Sequence, residues 1–193
     1  KSLTPETFAK CVLGCRLEEE FHFSGMLPEN CVAATLSDSK VWYYIRHSSL
    51  YADINYFGTV YEDFPLPRLV FGFAYDTVSR KATAARLCVV KDERLTPETK
   101  TYHYPFSNVY GNHNICLGKN ELPAYKDPTR IATLADHILR MPNNNDMFSE
   151  DSNKLNLGYR DLLEHLKDKT PAYYYTDVLI PDGKTLKNFM EGR

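Results

Sequence analysis

Residues 104–118 read Tyr104-Pro105-Phe106-Ser107-Asn108-Val109-Tyr110-Gly111-Asn112-His113-Asn114-Ile115-Cys116-Leu117-Gly118, and they gather the residue types that could do chemistry. The stretch holds a thiol, an imidazole three positions before it, and three side-chain amides. A cysteine thiolate is a good nucleophile and a good leaving group, so Cys116 suits acyl transfer through a thioester. His113 has the side chain of a local base. Asn108 has an amide of the kind that stabilises an oxyanion. Each also has a plainer reading. Cys116, between Ile115 and Leu117, fits a small apolar core residue. His113 fits a solvent-facing loop histidine, and the asparagines fit turn formers, with Gly111 and Asn112 supplying the turn.

The elements around this stretch must hold it. Thr4-Pro5-Glu6-Thr7 has a helix start, with Thr at the N-cap and Pro in the first turn, and predicts a helix to about residue 13. Residues 31–36 and 41–47 are rich in β-branched and aromatic side chains, and a turn cluster joins them as a hairpin. Residues 56–61 predict a third strand. Residues 68–75 and 83–90 predict a second hairpin, set off by Pro65 and Pro67. Residues 91–128 form a long aperiodic section, and a loop of that length is more often functional than idle. Residues 129–140 place Ile131, Leu134, Ala135, Ile138 and Leu139 on one helical face. Residues 155–167 do the same with Leu155, Tyr159, Leu162, Leu163 and Leu166. Residues 172–180 predict a strand and 184–190 a short helix. Strands first and helices later give an α+β domain.

The composition sets bounds. With 193 residues the chain is one domain by size. Its net charge of −2 gives no overall field for nucleic acid or an anionic membrane. No apolar run approaches the roughly 18 residues that a membrane helix needs. Lys1 in place of Met reads as a trimmed start, and no signal-type segment opens the chain. Five irregularly spaced cysteines do not read as a disulfide framework and fit a reducing cytoplasm. Cys11-x-x-x-Cys15 with His22 has ligand residue types but no evident fourth ligand, so no metal is expected. No Gly-rich phosphate loop appears, and no cofactor is expected. Tyr173-Tyr174-Tyr175 reads as packing.

The spacing around Cys116 resembles the active-site loop of ubiquitin-conjugating enzymes. In that family an asparagine precedes the catalytic cysteine by eight residues, as Asn108 precedes Cys116, with Val109-Tyr110 and Ile115-Leu117 in step. Residues 64–71, Phe-Pro-Leu-Pro-Arg-Leu-Val-Phe, resemble the proline-rich strand entry of that fold. Met141-Pro142-Asn143-Asn144-Asn145-Asp146 resembles the acidic turn after its central helix. The order of Leu69-Val70-Phe71, then residues 94–102, then Ser107-Asn108-Val109-Tyr110, then Ile115-Cys116-Leu117-Gly118 is similar to the prokaryotic branch called family D, of the PRTRC system protein B type. The resemblance covers about residues 31–148. Phe106 and Ser107 stand where the eukaryotic His and Pro would be, no Trp follows the cysteine, and the turn glycine is shifted to Gly111.

The resemblance implies a ubiquitin-conjugating-enzyme-like fold over 1–193, with an N-terminal helix, an antiparallel β-meander, the active-site loop and C-terminal helices. Its core is 31–148 and its C-terminal extension 149–193. It implies Cys116 as the thioester-forming nucleophile, Asn108 as oxyanion donor, and Asp146 as the acidic group that orients the incoming amine, with His113 as an alternative base. The implied partners are a ThiF-type activating enzyme, a ubiquitin-like protein and a JAB-type metallopeptidase. A non-catalytic scaffold of the same fold that binds a ubiquitin-like protein is the alternative. A cysteine hydrolase using Cys116, His113 and an Asp is a third reading.

Overall fold

The computed structural model describes residues 26–193, except Asp38 and Glu121. The expected helix at residues 4–13 and the Cys11, Cys15 and His22 trio lie outside the described residues. Six strands form one antiparallel sheet: β1 (Cys31–Ser37), β2 (Lys40–Arg46), β5 (Arg68–Asp76), β6 (Lys81–Val90), β7 (Lys100–Tyr102) and β8 (Pro181–Thr185), side by side in that order. A separate hairpin, β3 (Tyr51–Tyr56) and β4 (Thr59–Pro65), fills the connection between β2 and β5.

Strand β5 is buried along its whole middle, which explains its unbroken apolar run. Side chains alternate faces with period two. Leu69, Phe71, Phe73 and Tyr75 of β5 join Tyr43 and Ile45 of β2, and Ala85, Leu87 and Val89 of β6, in the main core. Val70 of β5, Tyr44 of β2 and Cys88 and Val90 of β6 face the other way, into a second cluster with Leu186 and Phe189. The helices α1 (Leu134–Leu139) and α2 (Tyr159–Leu166) give their apolar faces to the main core. A 3-10 turn, Pro128–Thr133, leads into α1, and the Asp127 side chain caps it by accepting from the Thr129 N–H at 2.9 Å. The C-terminal helix α3 (Leu186–Glu191) lies on the second face, and a Thr185–Asn188 capping box starts it.

Gly72 is what lets Tyr44 lie across the second face. A Cβ on Gly72 would sit 3.0 and 3.1 Å from two Tyr44 ring carbons. The Tyr44 ring meets Phe189 edge-on at 5.9 Å, and its hydroxyl donates to the Met190 carbonyl, so it anchors α3. Gly72→Ala is therefore expected to cost about 1–3 kcal/mol by overpacking. Its denaturant midpoint, against that of wild type, checks this.

The structure corrects four expectations. The helix expected over 129–140 is α-helical only at Leu134–Leu139, behind the 3-10 turn, and the one expected over 155–167 runs only Tyr159–Leu166. Residues 56–61 are not one strand. Phe57 and Gly58 both have positive φ (48° and 84°) and form the two-residue turn between β3 and β4, with the Asn55 side chain accepting from the Gly58 N–H at 3.0 Å. Residues 172–180 are not a strand: Tyr174–Val178 is a π-helical turn closed by Leu179 N–H to Tyr174 O at 2.9 Å. Its aromatic and β-branched content serves burial, since Tyr174, Val178 and Leu179 are fully enclosed and the Tyr174 hydroxyl donates to Pro65 O at 2.7 Å. Strand β8 lies between the two elements the sequence predicts there, in a stretch, Pro181-Asp182-Gly183, of turn composition. It pairs with β7 at the sheet edge, where proline is tolerated.

Candidate active site

The loop after β7 is built onto a half-free strand edge. Along β6 the strand β7 pairs only with Val89 and Val90. The rest of that edge is taken by the loop itself. Leu87 N–H donates to His113 O at 2.9 Å, Ile115 N–H donates to Ala85 O at 2.9 Å, and Asn114 bridges Arg86. The loop folds back on itself through a Val109–Ile115 bridge and Tyr110 N–H to Asn114 O at 2.9 Å. Asn108 (φ 66°) and His113 (φ 71°) both adopt the left-handed conformation, uncommon for residues with a Cβ. Cys116 follows this turn directly as a half-buried free thiol.

Three of the four candidate residues are linked through their backbones. Cys116 N–H donates to Asn108 O at 2.8 Å, and Asn108 N–H donates to Asp146 O at 3.4 Å. The Asn108 amide donates to Pro142 O at 3.2 Å and faces Asn143 Oδ1 at 3.5 Å. Asp146 is exposed, and its carboxylate accepts from the Asn144 amide at 2.9 Å. The Tyr110 hydroxyl contacts the Cys116 sulfur. That bond and the sulfur's charge, more than burial, raise the Tyr110 hydroxyl above its ordinary value.

Sequence reasoning missed the residue that holds the two halves of the site together. Asn143 is buried. Its amide donates to Met141 O at 3.1 Å and Asn55 O at 3.3 Å, and its carbonyl oxygen accepts from Ser107 Oγ at 3.0 Å. Its backbone joins the β3–β4 hairpin through Asn143 N–H to Asn55 O at 2.7 Å and Phe57 N–H to Asn143 O at 3.2 Å. Pro142-Asn143-Asn144-Asn145-Asp146 reads as a turn, and nothing in a string of asparagines marks which one is buried.

His113 is the candidate that does not join the group. It is 3% exposed, not solvent-facing. Its Nδ1 faces the Leu87 carbonyl at 3.2 Å, so that nitrogen carries a proton. Its Nε2 lies 2.8 Å from Asp182 Oδ2, a close ion-pair contact, not an in-line hydrogen bond. Both ring nitrogens are thus engaged away from Cys116. His103 stacks on His113 at 6.2 Å. Burial holds its imidazole below the usual range, opposed by Asp182 and helped by His113 and Lys184.

The description "prokaryotic E2 family D" is that of a family model that matches residues 11–181. The chain belongs to that family. No curated protein and no solved structure matches it. Family D is a family of prokaryotic E2-like proteins. Membership links this chain to ubiquitin-like conjugation, and thereby to ubiquitin-like proteins and an activating enzyme. The mixed α/β structure with its antiparallel sheet is consistent with an E2-like fold. Among the described residues, no helix is long and apolar enough to cross a membrane.

Proposed function

We propose that this family D protein is a bacterial, cytoplasmic conjugating enzyme that carries a ubiquitin-like protein as a thioester on Cys116. The observation that supports this best is the pair of backbone hydrogen bonds linking Cys116 to Asn108 and Asn108 to Asp146. They join the backbones of a cysteine, an asparagine and an aspartate on one loop pair, where Tyr110 and Asp146 are exposed.

The thiolate of Cys116 attacks the carbonyl carbon of the thioester on a ThiF-type activating enzyme. A new C–S bond forms, the old one breaks, and the activating enzyme's thiolate leaves. Exchange between two similar thiols is close to balanced. An amine nitrogen then attacks the Cys116 thioester. The C–N bond forms, the Cys116 thiolate leaves, and the amine's proton passes to Asp146 or to water. The Asn108 amide braces the loop through Pro142 O. Its longer contact, at 3.5 Å to Asn143, is the one it exchanges for the oxyanion. His113 braces the loop from below and takes no proton from the thiol. A JAB-type metallopeptidase would reverse the modification.

Asn108→Ala is expected to slow discharge to an amine by about 10²–10³-fold, the usual loss for one oxyanion donor. Single-turnover discharge of the preformed thioester to free lysine measures it. Incubation with ATP and the activating enzyme and ubiquitin-like protein encoded beside this chain tests the proposal. A heavier band on non-reducing gels, lost with thiol, supports it. Binding without an adduct favours the non-catalytic scaffold.

A further inference from the structure

The C-terminal strand β8 reaches the loop that carries Cys116 through His113. Asp182, on β8, lies just past the last matched residue, 181. Its side chain is 1% exposed and that of His113 is 3% exposed. The Asp182 carboxylate is fully engaged. It takes Thr101 Oγ1 at 2.9 and 2.8 Å, Lys184 N–H at 2.8 Å, and His113 Nε2 at 2.8 Å. The His113 ring is walled by His103 on one face and by Phe189 of α3 edge-on at 5.5 Å. On its backbone side, His113 N–H donates to Tyr110 O at 2.8 Å, and its carbonyl accepts from Leu87. One residue thus ties the turn at 110–113 both to β6 and, through its ring, to the C-terminal strand.

A buried carboxylate with this many partners fixes position strongly, because each alternative leaves a charge unpaired. The left-handed backbone at His113 persists only where its surroundings hold it. We propose that Asp182 is a positioning residue for Cys116: by clamping His113 under the loop, the C-terminal strand fixes residues 108–116 in the conformation that presents the thiol. This rests on the reading of Cys116 as the nucleophile. The clamp acts on geometry and makes no contact with the reacting atoms.

The test is the steady-state rate of Cys116 charging by the activating enzyme, in wild type, Asp182→Asn, His113→Gln and the double variant, with the full chain throughout. Asp182→Asn is expected to lower the kcat of the activating enzyme about tenfold while its KM for this chain is unchanged. The double variant is expected to lose no more than the worse single one, because both act through one contact. Thr101→Val, which removes a partner of Asp182 and leaves the ion pair, is expected to show a smaller loss of about threefold. It carries the test if Asp182→Asn does not fold. Wild-type kcat in both Asp182→Asn and Thr101→Val, or full additivity in the double variant, overturns the clamp alone. No charging of wild type by a competent activating enzyme overturns both the Cys116 reading and the clamp.

Discussion

Cys116→Ala will form no covalent adduct with the ubiquitin-like protein, and Cys116→Ser will form one that survives thiol treatment. Alanine has no nucleophilic atom, so charging falls by at least about 10³-fold, as when other covalent catalysts lose their nucleophile. Serine replaces the sulfur with oxygen. The resulting ester exchanges poorly with thiols and donates poorly to amines, so it accumulates slowly and stays. The other described cysteines are less suited to the role. Cys88 is fully buried, and burial, with Asp182 nearby, pushes its thiol well up. Cys31 donates to Ala33 O at 3.2 Å, and burial raises its thiol too. Cys11 and Cys15 lie outside the described residues, and the same variants test them. A thiol-sensitive adduct remaining in Cys116→Ala would move the nucleophile elsewhere. Non-reducing gels of the three proteins, side by side, measure this.

His113→Ala will destabilise the protein by about 3–5 kcal/mol, because it removes a close partner of a buried carboxylate and leaves a buried ring's space unfilled. For a chain of this length that is a fall of about 10 °C in melting temperature. The effect has a definite pH dependence. Burial alone would raise the Asp182 carboxyl, but His113, the Lys184 N–H and Thr101 outweigh it and bring it from about 3.8 down to about 2. A carboxyl depressed on folding stabilises the fold above its unfolded value, and that stability is lost as pH falls through the folded value. The contribution is therefore complete above about pH 4 and disappears toward pH 2, roughly 2 kcal/mol in all. Removing His113 lets the Asp182 carboxyl rise, so the acid slope flattens. His103, Cys88 and Lys184 also face the pair, and all three remain in the variant. Urea midpoints from about pH 2 to pH 6 decide it. An unchanged acid slope in His113→Ala would show that the pair contributes nothing.

Much of the sheet is legible in the sequence, because its central strands obey simple patterns. The apolar run of β5 and the turn-separated halves of β1–β2 and β5–β6 come out close to their observed bounds. The apolar residues expected on the two helical faces do pack into the main core, but the α-helices are shorter than the periodicity predicts, Leu134–Leu139 and Tyr159–Leu166, with Ile131 in the 3-10 turn and Leu155 ahead of α2. What fails is what depends on distant contacts. Tyr174 and Val178 have strand composition but pack as a π-turn under Pro65, since burial and not pleating selects them. Strand β8 has turn composition, and only its partner β7 makes it a strand. At the site, the spacing of Asn108 and Cys116 is local and visible. The burial of Asn143 and the reach of Asp182 to His113 join residues tens of positions apart, and a single sequence does not show that.

Intact mass spectrometry after incubation with ATP, the activating enzyme and the ubiquitin-like protein tests the central claim most directly. The account predicts a gain equal to the ubiquitin-like protein less one water, reversed by thiol and mapped to the peptide that carries Cys116. An activating enzyme that is itself charged and binds this chain, yet leaves Cys116 unmodified, would contradict it.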